Sequence, residues 1–284
     1  MLVYPFSCTG KLVPQGVLTS TSVSFIEEWS NENMRKNIAV VILAAGLGTR
    51  MNSDKAKVLH EVAERPMILY VVEIAQKAAG DDIIVVVGHQ AQKVREIISE
   101  IAQLNFAYQK KQLGTAHAVL CALPCIPDHC DEVVILSGDV PLILPETITE
   151  LVEDHLACYR DISLLAVELK NPYGYGRVLQ DDNGQPFGII EEKDATSEQK
   201  KIKLINAGIY CINKKFLQDA LPKIQSNNVQ EELYLTDIMA IGHTEKKKMG
   251  LMVAADYHQI LGVNNCQDLA EVDKIMKKRM RNIS

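Results

Sequence analysis

The chain has 284 residues, 47% hydrophobic and 23% charged, with a formal net charge of −6. That length suffices for one large α/β domain or two small ones, and the acidic balance argues against a nucleic-acid partner, whose binders carry a basic face. Seven cysteines, odd in number and in no framework spacing, fit a reducing, cytoplasmic setting better than a disulfide scaffold, and no run approaches the roughly 18 apolar residues of a membrane span.

Residues 1–33 contain Ser, Thr and the helix-interrupting Pro5, Gly10, Pro14 and Gly16. With no early Lys or Arg of a secretory signal, they are expected to be a disordered extension, and the domain is expected to start near Met34. Strand and helix patterns then alternate. Strands are predicted over Ile38–Leu43, Ile83–Val87, Asn105–Tyr108 and Glu132–Leu136, and helices over Met67–Ala79, Ala91–Leu104, Leu113–Leu123 and Pro145–Ala157. This rhythm implies right-handed βαβ units around a parallel sheet.

Beyond Ala157 the rhythm changes. Strands Ile162–Leu169, Arg177–Gln180, Pro186–Glu191 and Ile202–Cys211 are separated by turns, with Asn183-Gly184 marking a hairpin. The fold class is therefore α/β, a mostly parallel sheet with an antiparallel extension. A helix over Glu231–Ile241, a strand over Gly250–Ala254 and a helix over Gln267–Met280 complete the chain. In the last, Leu269, Val272, Ile275 and Met276 share an apolar face that should pack on the domain.

Three stretches carry chemistry. In VVILAAGLGTRM (Val40–Met51) an apolar strand breaks into a glycine loop that fits neither GxGxxG nor the Walker A pattern. Gly46 and Gly48 let backbone approach an anion, and Arg50 with Lys57 would neutralise a triphosphate; a plain glycine turn with solvated basic residues is the alternative. In VVILSGDVPLI the strand ends at Ser137-Gly138-Asp139, which puts the Asp139 carboxylate where ligands of open α/β sheets sit and where magnesium would ride on substrate phosphate. Asp is also an ordinary turn residue. In QKKQLGTAHAV (Gln109–Val119), Gln and Thr side chains could contact a base edge, while Gly114-Thr115 also suits a helix cap. Cys121, Cys125, His129 and Cys130 cluster without a CxxC pair, so buried or surface thiols are the default and zinc the alternative.

The ordered set LAAGLGTRM, KVLHEVAERPMI, QLGTAHA, SGDVPL, YGYGRV, EEKDAT, INAGIY, EELYLTDI and GVNN resembles the N-terminal uridylyl-transferring domain of the bacterial bifunctional N-acetylglucosamine-1-phosphate uridylyltransferase/glucosamine-1-phosphate acetyltransferases, from about Ile38 to about Ile275. The resemblance implies a Rossmann-like nucleotide-diphospho-sugar transferase fold over 34–264, followed by a C-terminal helix, 265–284. It implies transfer of a uridylyl group from UTP to N-acetylglucosamine 1-phosphate with Mg2+. Arg50 and Lys57 would be the catalytic pair. Leu43, Ala44, Ala45, Gly46, Gly48, Gln109, Gln112, Gly114 and Thr115 would bind the nucleotide, Gly176, Glu191, Asn206, Tyr234 and Thr236 the sugar, and Asp139 with Asn264 the metal.

Ala56, Ala116, Ala207 and Ser137 depart from residues common in that family, and none replaces a charged group. The family's acetyl-transferring half, a β-helix of hexapeptide repeats that also builds its trimer, is expected to be absent from these residues. A uridylyl- or thymidylyltransferase for another hexose 1-phosphate, or a catalytically silent sugar-nucleotide-binding protein, are the competing readings.

Overall fold

The structure, a computed structural model, describes residues 37–51 and 53–283; the expected N-terminal extension lies outside them. Seven strands run side by side in one sheet. Strand β1 (Ile38–Ala44) is central, with β4 (Ile83–Val87) and then β5 (Asn105–Tyr108) on one side, and β6 (Glu132–Ser137), β10 (Leu204–Asn213), β7 (Ile162–Glu168) and β11 (Met249–Ala254) on the other. All pairings are parallel except those of β10, which is antiparallel to both β6 and β7. The antiparallel element is thus partly inside the central sheet. The hairpin of β8 (Arg177–Gln180) and β9 (Pro186–Ile190) hangs from β10, and Gly184 sits in its turn at φ +76. A second small hairpin, β2 (Glu61–Val62) with β3 (Arg65–Pro66), was not foreshadowed by the sequence pattern.

The near-continuous aliphatic strands are buried on both faces, as a parallel sheet requires. Ile38, Val40 and Ile42 of β1 point into one core, shared with Val71, Val72 and Ala75 of α1 (Met67–Ala79), Val94 and Ile98 of α2 (Ala91–Ser99), and Ile148 and Leu151 of α4 (Pro145–Ala157). The alternate residues Ala39 and Val41 face a second core with Val119 of α3 (Thr115–Ala122), Phe216 and Leu217 of α5 (Lys214–Ala220), and Ile238 and Met239 of α6 (Asp237–Thr244). Each aliphatic side chain buried this way contributes about 1.5–3 kcal/mol relative to exposure. Helix α7 (Cys266–Ile283) closes a third cluster, in which Val272 and Met276 are buried and Leu269 and Ile275 half-buried against Met51, Val62 and Leu142.

Two helices differ from their expected spans by five residues or more at one end. The α2 helix stops at Ser99 rather than Leu104, because the chain turns there to deliver β5. The helix expected over Glu231–Ile241 starts only at Asp237. Its first residues are held extended against the 113–116 segment: Leu233 N donates to Leu113 O at 2.8 Å and Leu233 O accepts from Ala116 N at 2.9 Å. Backbone groups bonded across to another segment cannot also close helical turns. Among the described residues no helix is long and apolar enough to cross a membrane.

Candidate active site

From β1 the chain crosses to β4 on one side, and β6 later fills the other, so the strand order reverses between β1 and β6. Crevices beyond the carboxyl ends of strands at such reversals are where open α/β sheets bind ligands. Leu43 is paired with Ser137 across this gap, and Gly138 N donates to Leu43 O at 2.9 Å. The Ala45–Gly48 loop and Asp139 therefore leave the sheet side by side.

The loop folds back on the chain that follows it. Gly48 has φ +65, and a Cβ on it would lie 2.7 Å from Lys57 Cβ; only glycine permits both the left-handed backbone and the contact. Lys57, in a short 3-10 turn (Lys57–Leu59), is thereby aimed across the cleft. Its Nζ donates to Asp139 Oδ2 and to Asn264 Oδ1 at 3.0 Å. Arg50 Nη2 donates to the same Asn264 oxygen at 3.1 Å, and Val263 N donates to Asp139 O at 2.9 Å. Four residues spread over more than 200 positions of sequence meet at one point. Arg50 is exposed. Lys57 is not the solvent-facing side chain an ordinary surface lysine would be: it is 15% exposed, inside this ion pair.

The cleft beside this cluster holds about 240 Å³ and is lined by Leu43, Ala44, Ala45, Gly46, Gln112 and Thr115, among others. A Cβ on Gly46 would meet nothing within 4 Å, so the loop presents bare backbone to open space. Gln109, only 3% exposed, donates from Nε2 to Gly114 O at 3.1 Å and contacts His117 Nδ1 at 3.0 Å. Gln112 Nε2 reaches Ala45 O at 3.4 Å. Gly114, at φ +110, would place a Cβ 2.4 Å from Leu233 O, and the Thr115 hydroxyl accepts from Leu235 N at 2.9 Å. Gly114 is the N-cap of α3, without a side-chain capping bond, and the Gly114-Thr115 step also forms a seam that fastens α3 to residues 233–235. Gly88 belongs to the same wall, since a Cβ there would be 2.8 Å from Ala45 O and from Gln112 Nε2; nothing in its sequence context marked it.

The residues assigned to the sugar form a second group. A Cβ on Gly176 would sit 3.3 and 3.4 Å from the two carboxylate oxygens of Glu191. Asn206 N donates to Gly176 O at 2.9 Å, and Asn206 Oδ1 accepts from Gly208 N at 2.8 Å where β10 bulges. Gly208 in turn approaches Ser137 of the cleft, its would-be Cβ 3.3 Å from Ser137 Oγ. Glu191, Tyr234 and Thr236 line an adjoining cavity of about 340 Å³ with Asp194 and Asp237. Burial pushes the Glu191 carboxyl above its usual range, with Asp194 and Asp237 adding to the effect, and burial likewise raises the Tyr234 phenol. Beneath the Gly176 loop lies Arg177, which is 1% exposed. Its guanidinium donates to Glu192 Oε2 at 2.6 Å and to Tyr175 O, while Gly174 N donates to the same Glu192 oxygen at 3.2 Å. Motif spacing gave no hint of this clamp, because Arg177 next to YGYG has the look of a surface cation.

The cysteine-histidine segment separates. Cys121 lies 4.0 Å from His117 Nε2 on α3, whereas His129 and Cys130 approach Asp82.

The model of the family described as nucleotidyl transferase matches residues 39–277. The chain belongs to the nucleotidyl transferase family. Among its curated relatives, the bifunctional protein GlmU of Desulfotalea psychrophila is 44% identical over 242 residues, which are 85% of this chain and 71% of that one. The bifunctional protein GlmU of Geotalea daltonii is 42% identical over 86% of this chain and 53% of its own length. That of Caldanaerobacter subterraneus subsp. tengcongensis gives 42%, 86% and 53%. The chain thus spans about half the length of most of these relatives. As a nucleotidyl transferase family member it is an enzyme, and the mostly parallel sheet with its cleft at the β1/β6 gap is the corresponding α/β fold.

Proposed function

We propose that this protein transfers the uridylyl group of UTP to N-acetylglucosamine 1-phosphate, giving UDP-N-acetylglucosamine and pyrophosphate. The observation that carries this reading is the convergence of Arg50, Lys57, Asp139 and Asn264 at the mouth of a cleft walled by bare glycine-loop backbone, with the Gly176–Glu191–Asn206 group adjoining it through Gly208 and Ser137. The relatives' name and the acetylglucosamine-type motifs supply the substrate class.

The donor set suits magnesium. Asp139 and Asn264 offer hard oxygens, and both accept from a single cationic nitrogen, so these two side chains would hold a small divalent cation. When bound there, magnesium neutralises phosphate charge and helps orient the reacting groups. The phosphate oxygen of the sugar substrate attacks the α-phosphorus of UTP in line; the new P–O bond forms as the bond to the bridging oxygen breaks, and pyrophosphate leaves. No protein nucleophile is needed, because an anion attacking an anion is limited by positioning and charge. Arg50 and Lys57 supply positive charge at the triphosphate, and the loop from Ala44 to Gly48 supplies backbone N–H groups. Gln109, Gln112 and the Gly114-Thr115 seam hold the uracil side of the cleft. Glu191 and Asn206 grip the acetylamino sugar with Tyr234 and Thr236. Phosphorus NMR of a mixture of the protein, UTP, N-acetylglucosamine 1-phosphate and magnesium tests the reading: a nucleotide-sugar diphosphate pair growing with pyrophosphate supports it, and unchanged substrate spectra reject it.

A further inference from the structure

At the amino-terminal ends of the central strands, opposite the cleft, three unlike donors converge. Asp82 immediately precedes β4, and His129 and Cys130 lie just before β6. His129 Nε2 is 2.7 Å from Asp82 Oδ2, Cys130 Sγ donates to the same oxygen at 3.7 Å, and the three ligand atoms all lie within 4.8 Å of one another. We propose that Asp82, His129 and Cys130 form a zinc site that ties the starts of β4 and β6 together across β1.

The backbone holds the donors in place before any ion arrives. Asp82 O accepts from Val40 N at 2.9 Å, and Asp131 N donates to Asn37 O at 2.9 Å, so both ligand-bearing turns are fastened to the beginning of β1. The His129–Cys130 turn is closed by Cys130 N donating to Pro127 O at 3.1 Å, and Lys214 Nζ donates to that same carbonyl at 2.9 Å. One sulfur, one imidazole nitrogen and one carboxylate oxygen are each donors that zinc takes, and three protein ligands leave a fourth position for water. His129 is 56% and Asp82 31% exposed, which gives an ion a path in, while Cys130 is fully buried beneath them. Binding forms a Zn–S bond, breaks the Cys130 S–H bond and releases that proton to solvent.

A second trio, Glu132, His155 and Cys211, also satisfies the distance requirement. It is the weaker candidate: both His155 nitrogens are engaged, by Ser163 at 2.9 Å and Glu132 at 3.0 Å, and His155 is only 1% exposed.

The test is titration of the reduced, metal-free protein with cobalt(II) and then zinc, in the presence of excess magnesium to occupy oxygen-only sites. One equivalent should bind, with a thiolate-to-cobalt charge-transfer band that zinc abolishes, and zinc should raise the melting temperature. His129→Ala and Cys130→Ser should each weaken zinc affinity at least about a hundredfold, with nucleotidyl transfer retained because neither side chain borders the cleft. Cys211→Ala should bind as the parent does. Absence of a sulfur band, wild-type affinity in His129→Ala, or binding lost in Cys211→Ala but kept in Cys130→Ser would each overturn the assignment.

Discussion

Lys57 Nζ and Asn264 Oδ1 are 3.0 Å apart, although 207 residues separate them in sequence. The same nitrogen also donates to Asp139, so one ammonium joins the two side chains proposed above to hold magnesium.

On the proposed mechanism, replacing either basic residue removes positive charge from the triphosphate. Arg50→Ala and Lys57→Ala are each expected to lower kcat/KM by about 2–4 kcal/mol of transition-state stabilisation, the scale of one well-placed electrostatic group. Arg50 is exposed, so its loss should leave the melting temperature unchanged. Arg50→Lys should recover only part of the rate, since an ammonium lacks the planar fork. Steady-state pyrophosphate release with parallel thermal melts checks both, and parental rates in both alanine variants would remove the two residues from the mechanism.

Asp139→Asn and Asn264→Ala should both raise the magnesium concentration needed for half-maximal rate, with the larger effect at Asp139, because it alone brings negative charge to the ion. The measurement is activity against free magnesium at saturating UTP. An unchanged magnesium dependence in Asp139→Asn would place the ion elsewhere.

Gly48 and Gly114 offer a comparison of two strained positions. A Cβ at Gly48 would meet Lys57 Cβ at 2.7 Å, whereas one at Gly114 would meet three Leu233 backbone atoms, the nearest at 2.4 Å. Gly48→Ala incurs the left-handed penalty of roughly 1–2 kcal/mol, while Gly114, at φ 110 and ψ 175, lies in a backbone region open essentially to glycine alone. Chemical denaturation should therefore rank Gly114→Ala as the less stable variant, and the reverse order would contradict the packing described for the 113–116 seam.

Glu191 gives a pH signature with a defined sign. Its carboxyl is raised by burial in the folded state, so the stability it contributes is present below its unfolded value of 4.5 and is lost as pH rises through the folded one. Glu191→Gln cannot ionise. The variant should melt above the parent at pH 8, and the gap should close on acidification below the unfolded value. At the same time its KM for N-acetylglucosamine 1-phosphate should rise. A constant gap from pH 4 to pH 8 would show that the Glu191 charge is not what the parent loses.

Much of this was legible in the sequence because the signals are local. The aliphatic runs Ile38–Ala44 and Ile83–Val87 are buried on both faces and could be little other than central strands, and Pro145 at a helix start and Asn183-Gly184 at a turn carry their own backbone instructions. Nothing local placed β10 between β6 and β7, since antiparallel and parallel insertion differ only in pairing between distant segments. The stretch 231–236 has helical composition, yet its backbone is committed to residues 113–116. In the site, residues at the ends of aliphatic strands announced themselves. Arg177, Glu192 and Gly88 did not, because burial of a cation and close approach to a distant wall leave no mark on spacing.

The central claim is best tested by a pyrophosphate-release assay over UTP, TTP and ATP, each with N-acetylglucosamine 1-phosphate, glucosamine 1-phosphate and glucose 1-phosphate, with and without magnesium. The account predicts the highest kcat/KM for UTP with N-acetylglucosamine 1-phosphate, abolished by chelation of the metal and diminished selectively by Asn206→Ala. Equal or greater efficiency with glucose 1-phosphate, or turnover that survives metal removal, would contradict it.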